Sequence, residues 1–513
     1  MPQHVRQIAK DASIVGGATL LSRILGFFRD MILAYVLGAG VSADAFYVAY
    51  RLPNMMRRLF AEGSMTMAFV PVFTRLREEV GDERAFAMPR AAMVWLLIIL
   101  GVLTTLAILF ARPLTHLITP GFADDPALFD LTVELTRIVF PYIIEISAVA
   151  LCMGVLNSFG HFLAPALATS ELNTIIILGA GVAWLFGLNV PHTLAWAVVV
   201  GGFGQVLMQQ PQMRKYGFSW RGPWSLKDKG VIRMGLLMLP TAFGAAVYQL
   251  NIVIGTLLAS YLPTGSISYL YYADRLVQFP LGVFGVAVGT VALPSLSKLA
   301  SSGQTGEFTE TLNASLRLTL FICLPAAAGL IALAEPMVHI LFGRGAFGPH
   351  AVSATAAALV AYGVGLPAFA CVRPLYSAYF ALTDTRTPAI TAAVCLVVYV
   401  IAGLALMGPT AHVGLALATS ISSWVNVAVL GVILRKRLGG SWFRPGRTTV
   451  IGALLSCGVG LGAYTTAGWP LLALALILVW AVAYMGLASL LRVEEARLLT
   501  DFARRRLRRK IRA

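Results

Sequence analysis

The sequence predicts an all-α integral membrane protein of fourteen transmembrane helices, built as two pseudo-symmetric six-helix lobes followed by two C-terminal helices. Three observations carry this prediction: a composition too apolar for water, fourteen apolar stretches of spanning length, and an internal repeat offset by about 223 residues. Of the 513 residues, 58% are hydrophobic and 12% charged, against roughly a quarter charged in a soluble domain. That balance excludes an ordinary water-soluble enzyme.

A spanning helix takes about 20 apolar residues. Apolar stretches bounded by charge, Gly or Pro fall at 14–38, 43–74, 91–111, 131–158, 164–187, 193–213, 234–261, 266–297, 316–334, 351–382, 388–408, 413–434, 448–467 and 471–491. The first holds Arg23 and Arg29 and has no uninterrupted apolar core, so it reads as a mature helix and not a cleaved signal. With the N-terminus in the cytoplasm, 28 Lys and Arg fall on that side and two, Arg112 and Arg344, on the other. This asymmetry orients both termini to the cytoplasm and requires an even number of spans.

The repeat is read from FYVAYRL at Phe46–Leu52 against LYYADRL at Leu270–Leu276, which align Tyr47 with Tyr271 and Arg51 with Arg275. Pro71 meets Pro294, and Pro165-Ala166 meets Pro388-Ala389. Each copy holds six spans, so the two insert in the same orientation. This places an N-terminal lobe at 1–220, a C-terminal lobe at 221–440, helices thirteen and fourteen at 441–491 and a basic cytoplasmic tail at 492–513. Residues such as Arg504 to Arg506 in that tail face anionic headgroups, at ~1 kcal/mol per charge, in preference to nucleic acid.

Nine arginines remain inside the stretches: Arg23, Arg29, Arg51, Arg57, Arg58, Arg137, Arg275, Arg317 and Arg373. A cation at a lipid-facing helix centre costs ~2.5–3.5 kcal/mol even on the lenient scale, so most must face the protein or a watery cavity. Arg58 has Glu62 at i+4, Arg23 has Asp30 a heptad on, and Arg317 sits where a side chain can snorkel. The charges concentrate in the first two helices, with Asp30, Asp44 and Glu62 among them, whereas helices seven, eleven and twelve carry none. Pro53 and Gly63 interrupt the second stretch, and Pro280, Gly282, Gly285 and Gly289 its repeat partner, the eighth. Two bendable helices suit alternating access. Guanidinium forks match phosphate oxygens, so a pyrophosphate-like anion is the expected ligand.

No nucleotide loop, HExxH or Ser/His/Asp constellation is found, and the histidines lie mainly at span ends and in loops. Cys152, Cys323, Cys371, Cys395 and Cys457 stand singly in apolar runs, which supports neither disulfides nor a metal site. No cofactor is expected. Three other functions compete: a cation-coupled drug exporter, which would favour acidic cavities; a flippase for another polyprenyl-linked glycan; and an integral-membrane enzyme on polyprenyl phosphate. The last would need a carboxylate cluster at a membrane face, where only Asp124, Asp125 and Asp130 gather.

SRILGFFRD at Ser22–Asp30, the run Ala43–Phe73 containing LPNMMRRLFAEG, and Tyr271–Lys298 resemble the signature stretches of the MurJ (MviN) family, bacterial lipid II flippases of the multidrug/oligosaccharidyl-lipid/polysaccharide exporter superfamily. The resemblance runs over essentially the whole chain. It implies a V-shaped pair of lobes around a cationic central cavity, with helices thirteen and fourteen forming a groove for the polyprenyl tail. It also implies movement of undecaprenyl-pyrophosphate-linked disaccharide-pentapeptide from the cytoplasmic to the periplasmic leaflet of the inner membrane, for peptidoglycan synthesis. Membrane lipids and the cell-wall synthesis machinery are the further partners it suggests, and nucleic acid is not among them. By motif position the substrate-binding residues are Arg23, Arg29, Asp44, Arg57, Glu62, Ser268 and Arg275, with Asp30, Arg51, Arg58 and Gln278 as secondary candidates. Gln278 stands where well-known relatives place Glu, and Gly255 about where sodium-binding relatives place Asp. Coupling to the membrane potential is therefore expected in place of a carboxylate sodium site.

Overall fold

The computed structural model describes residues 3–60, 65–282, 286–439, 447–465, 470–491 and 493–497. Among them every regular element is a helix, and the fourteen apolar stretches lie mainly on helix, the fourth, 131–158, being divided at Phe140–Pro141 between two helices. Seven helical segments of the described residues qualify as spans by length and apolarity alone, among them Leu163–Phe186, Val190–Lys215 and Pro349–Ala381. The surface is strewn with bare apolar side chains such as Trp184, Phe186, Trp196, Leu461 and Leu490, which suits a protein whose solvent is lipid. The chain is therefore a multi-pass, all-α membrane protein. It divides into two compact units: Met1–Ser268 with Gly345–Phe347, and Tyr269–Arg344 with Gly348–Ala513.

In the first unit α1 (Gln3–Leu37) stops at Gly38, whose φ of +67° only glycine adopts freely. Then follow α2 (Val41–Phe60), α3 (Thr66–Val80), the short α4 (Asp82–Ala85), α5 (Ala87–Leu109) and α6 (Ala111–Ile118). A 3-10 turn at Pro120–Asp124 leads to α7 (Pro126–Val139), α8 (Tyr142–Ser158), α9 (Leu163–Phe186), α10 (Val190–Lys215) and α11 (Lys229–Ser260). The starts are capped where the sequence offers a cap: Asp125, Asn189 and Asp228 accept from the backbone N–H of Leu128, His192 and Val231. Pro126 and Pro191 occupy first-turn positions where no N–H is needed. Asp125 thus caps α7, and Asp130 pairs with Arg112 at 2.9 Å, so two of the three acidic residues gathered here have structural partners.

One end of this unit is an aromatic core in which Phe69, Phe73, Phe86, Phe159, Tyr216 and Phe218 pack ring to ring. Arg77 closes it, with its guanidinium 3.6 Å from the centre of the Phe159 ring and donating to the Ser158 carbonyl. Gly154 is required there, because a Cβ would lie 2.8 Å from Phe69.

The second unit contains α12 (Ser266–Pro280, its first turn belonging to the first unit), α13 (Val286–Ser301), α14 (Thr305–Ala332), α15 (Ala334–Phe342) and α16 (Pro349–Ala381). Helical hydrogen bonding continues from Arg386 to Leu438 as α17, yet Ala411 has φ 47° and ψ −129° and turns the chain back. Ser422 donates to the Cys395 carbonyl across the hairpin, and a Cβ on Gly414 would lie 2.5 Å from the Leu406 carbonyl. The eleventh and twelfth stretches are thus the two arms of one helical hairpin. Last come α18 (Arg447–Thr465) and α19 (Pro470–Leu490), which pack beside α14, with the Tyr484 hydroxyl donating to the Phe321 carbonyl at 2.9 Å. Arg317 does not snorkel alone; it pairs with Glu495 at 3.3 Å and Glu494 at 3.6 Å just beyond α19.

The repeat extends to helix boundaries. Ala111 and Ala334 start α6 and α15, Pro126 and Pro349 start α7 and α16, and Leu163 and Arg386 start α9 and α17, all offset by 223. Within α6 and α15 the same offset aligns Pro113 with Pro336 and His116 with His339. The loop corners also correspond: His161 precedes α9 and Asp384 precedes α17. Asp384 accepts from the backbone N–H and hydroxyl of Thr387 and pairs with Arg437, contacts that hold its carboxyl down at about 2. His161 has its basicity lowered instead, by burial and then by the charge of Lys215.

Candidate functional site

Arg29 is the one buried member of the arginine set among the described side chains, 8% exposed. It lies three-quarters along α1, where α1 packs on α9. Its Nε and Nη2 donate to a single oxygen, Asp30 Oδ1, at 3.0 and 2.7 Å, and Nη1 donates to Asn173 Oδ1 of α9 at 2.9 Å. The Asn173 amide in turn donates to the Ser22 carbonyl of α1 at 3.2 Å. Asp30 balances the charge and Asn173 sets the direction of the fork, which lets a guanidinium persist inside the unit. Arg23 is exposed on the same helix, and the heptad pairing expected between Arg23 and Asp30 is replaced by the Arg29 contact.

Asp44, in the first turn of α2, is 1% exposed. It accepts from the backbone N–H of Gly265 at 2.6 Å and of Ser268 at 2.8 Å, and from the Ser268 hydroxyl. The carboxylate thus serves the N-terminal amides of α12 as a cap contributed from another helix. Asp44 and Ser268, expected as polar partners in substrate binding, are brought together, and the role they show is to tie two helix starts.

Arg51 is half-buried on α2 and donates through Nη1 to Thr256 Oγ1 of α11 at 2.5 Å, while that hydroxyl donates to the Ile252 carbonyl. It lines a small cavity with Val48, Leu52, Met55, Ile118 and Val253. Its repeat partner Arg275 behaves differently. On α12 of the second unit, Arg275 Nη2 donates to the Tyr271 hydroxyl one turn earlier at 2.8 Å, and the guanidinium lies 4.7 Å from the centre of that ring. Gln278 is exposed, and its amide donates to Asp274 at 3.3 Å. Both bonds join residues four apart, so the face of α12 that carries Arg275 is braced from within the helix. The repeat preserves the arginine and changes its partner.

The side chains of Arg57 and Arg58, near the end of α2, and the whole of Glu62 lie outside the described residues. Arg137 and Arg373 are exposed. Asn173, Thr256 and Tyr271 were missed by sequence reasoning. A neutral polar residue inside an apolar run is the signal that Asn173 and Thr256 leave, Asn173 in ELNTIIIL most plainly, and Tyr271 is marked by its repeat match to Tyr47. Among the described residues no group of three His, Cys, Asp or Glu could hold a metal ion. Four of the five cysteines are buried and all five are free thiols.

Among the described residues, the guanidinium groups of Arg29, Arg51 and Arg275 are each oriented by a polar neighbour. Residues 33–497 match the family described as "Lipid II flippase MurJ". The chain is 38% identical over 494 residues to "Probable lipid II flippase MurJ" of Rhizobium tropici, covering 94% of this chain and 92% of that one. It is 37% identical over 428 residues to "Lipid II flippase MurJ" of Burkholderia cenocepacia, covering 82% and 83%. Among solved structures it resembles "Lipid II flippase MurJ, inward closed conformation", with a TM-score of 0.79, 28% identity and coverage of 93% and 98%. It also resembles an inward-facing multidrug resistance MATE family transporter of the MOP superfamily, with a TM-score of 0.66 and 13% identity over 81% and 94% of the two chains, a likeness of fold alone.

Proposed function

The chain belongs to the MurJ family of lipid II flippases, and from its oriented arginines we infer how it handles that substrate. It is a membrane transporter of the lipid II precursor of peptidoglycan. In our reading it carries undecaprenyl-pyrophosphate-linked disaccharide-pentapeptide from the cytoplasmic to the periplasmic leaflet of the bacterial inner membrane by alternating access. The fourteen apolar stretches supply the spans of this reading, and the charge asymmetry of the loops supports both termini in the cytoplasm.

The observation that carries the reading is Arg29, a buried guanidinium with a counter-charge and a directional acceptor. An approaching pyrophosphate competes with Asp30 for the same fork and gains a bidentate contact in a low-dielectric setting. Arg23, Arg57 and Arg275 supply further cations during the cycle, with Arg51 and Arg58 as second-rank contributors. Asp44 and Ser268 support the site through α12, and Glu62 is a polar partner. Helices α18 and α19 take the polyprenyl tail. The membrane potential supplies the coupling force, acting on the charges the chain moves, and no cofactor takes part.

Native mass spectrometry of the purified protein tests this. Lipid II, a different polyprenyl-pyrophosphate glycan and a cationic dye are offered together. Selective retention of lipid II, weakened about tenfold or more by Arg29→Ala, is expected. Equal retention of both glycolipids would show that the pyrophosphate and tail, not the sugar, are read. Preference for the dye would overturn the reading.

A further inference from the structure

The first unit contains two carboxylates that the arginine apparatus does not use, Glu145 on α8 and Glu171 on α9. Both lie against α10 at a glycine. A Cβ on Gly202 would collide with Glu145 Oε2, and one on Gly204 would lie 2.8 Å from Glu171 Oε1. In each carboxylate Oε2 is buried and without a hydrogen-bond partner among the described residues. Glu145 also sits at the middle of its apolar stretch, 131–158, as Gly202 does in 193–213.

Among the described side chains, no cation of the elements packed against α8 pairs with Glu145. From α2, Tyr50 approaches Tyr142, ring centres 6.3 Å apart, while Arg51 turns onto Thr256. From α3, Arg77 reaches α8 only at Ser158, and from α5, Arg90 donates to the Ser219 carbonyl. Ser158 is about 20 Å along α8 from Glu145, and Lys215 about as far along α10 from Gly202. Glu171 of α9 is itself acidic. An ionised carboxylate with an orphan oxygen and no cation in such a place costs several kcal/mol, which protonation removes.

We propose that Glu145 is a proton-binding site of the first unit. It holds a proton while packed on Gly202. When α8 and α10 shift enough to admit water, the carboxyl O–H bond breaks, the proton passes to a water molecule as hydronium, and the carboxylate keeps the electron pair. Each cycle then changes the charge of the unit by one, which gives a transmembrane voltage or pH gradient something to act on. Only that last step rests on the transport reading; the proton site stands on burial and geometry.

Infrared difference spectroscopy of the full chain in lipid nanodiscs, titrated with pH, reads the group directly. The expected result is a deuterium-sensitive C=O band of a protonated carboxyl at neutral pH that is lost in Glu145→Gln and kept in Glu171→Gln. Gly202→Ala, which pushes the carboxylate aside without removing it, should shift the band and its titration midpoint. A band untouched by Glu145→Gln, or one removed from the wild-type protein by sodium at constant pH, would overturn the proposal. In liposomes with the potential clamped at zero, a pH gradient should change lipid II flipping by the wild-type chain and not by Glu145→Gln. Flipping by both that ignores the gradient would refute the coupling role and leave the proton site to the spectra.

Discussion

Asn173 of α9 and Arg29 of α1, 144 residues apart in sequence, are joined by a hydrogen bond of 2.9 Å, and the same amide donates back to the Ser22 carbonyl. One side chain therefore fixes both the position of α1 on α9 and the direction of a buried guanidinium. A charge held in this way is pre-oriented, so binding an anion does not have to order a long flexible side chain first.

Asn173→Leu keeps the volume and removes both bonds. A hydrogen bond to a charged group is worth ~1.5–3 kcal/mol, so lipid II affinity should fall about tenfold or more, with insertion into the membrane unchanged. Native mass spectrometry against lipid II measures it, with growth of cells depending on the variant as the biological readout. Wild-type affinity in Asn173→Leu would mean that Arg29 is oriented without Asn173.

Asp44 separates a structural role from a substrate role. In Asp44→Asn the amide turns a donor toward the N–H groups of Gly265 or Ser268, and the α12 start loses an acceptor. The expected cost is ~1–3 kcal/mol, seen as a lower melting temperature of the purified protein in detergent. Ser268→Ala removes only the hydroxyl and should cost ~1 kcal/mol. A stable Asp44→Asn protein with weakened lipid II binding would instead place this carboxylate on the substrate.

Much of this architecture is legible in the sequence, because a helix in lipid has to satisfy its own backbone and be apolar over its length. The helical stretches follow from that constraint, and the repeat returns in the helix boundaries. The breaks are harder to read. The turn at Ala411 falls in the gap between the eleventh and twelfth stretches, beside Pro409, but the close approach of Gly414 to the Leu406 carbonyl leaves no mark in the hydropathy. The short helices α6 and α15 were missed because their His, Pro and charged residues interrupt the hydropathy signal, although Pro113/Pro336 and His116/His339 repeat at the shared offset. At the site the charges were visible and their partners were not. Long-range packing chooses Asn173 and Thr256 from among many neutral polar residues, most of which bond their own helix backbone, as Thr132, Thr174 and Thr419 do.

Tyr271 serves Arg275 in two ways, by its hydroxyl and by its ring face. Tyr271→Phe removes the bond and retains the ring, a loss of ~0.5–1.5 kcal/mol; Tyr271→Ala also removes the cation–π contact, worth ~0.5–2 kcal/mol more. Lipid II affinity should therefore fall in the order wild type, Tyr271→Phe, Tyr271→Ala. If both variants bind as wild type does, Arg275 is positioned by something other than this tyrosine.

The corner before α17 gives a pH dependence with a definite sign. Two hydrogen bonds from Thr387, and then Arg437, hold the Asp384 carboxyl at about 2, below its usual value. A carboxyl depressed by folding contributes stability above its unfolded pKa and loses it as pH falls toward the folded one. The window thus runs from about 4 down to about 2. Because Arg437 is 44% exposed, solvent screens the pair and the contribution is on the order of 1 kcal/mol. Asp384→Asn should lower the melting temperature at pH 7 and flatten the acid limb of the stability curve across that window, while Arg437→Gln should reproduce part of the loss. His161, at the same corner of the first unit, is depressed by burial and then by Lys215, so by the same linkage it costs stability as pH falls below the ordinary imidazole value of about 6.5, and His161→Gln should lessen that earlier loss without removing the Asp384 contribution. An acid limb that responds to His161→Gln and ignores Asp384→Asn would show that the first unit, not this corner, sets acid stability.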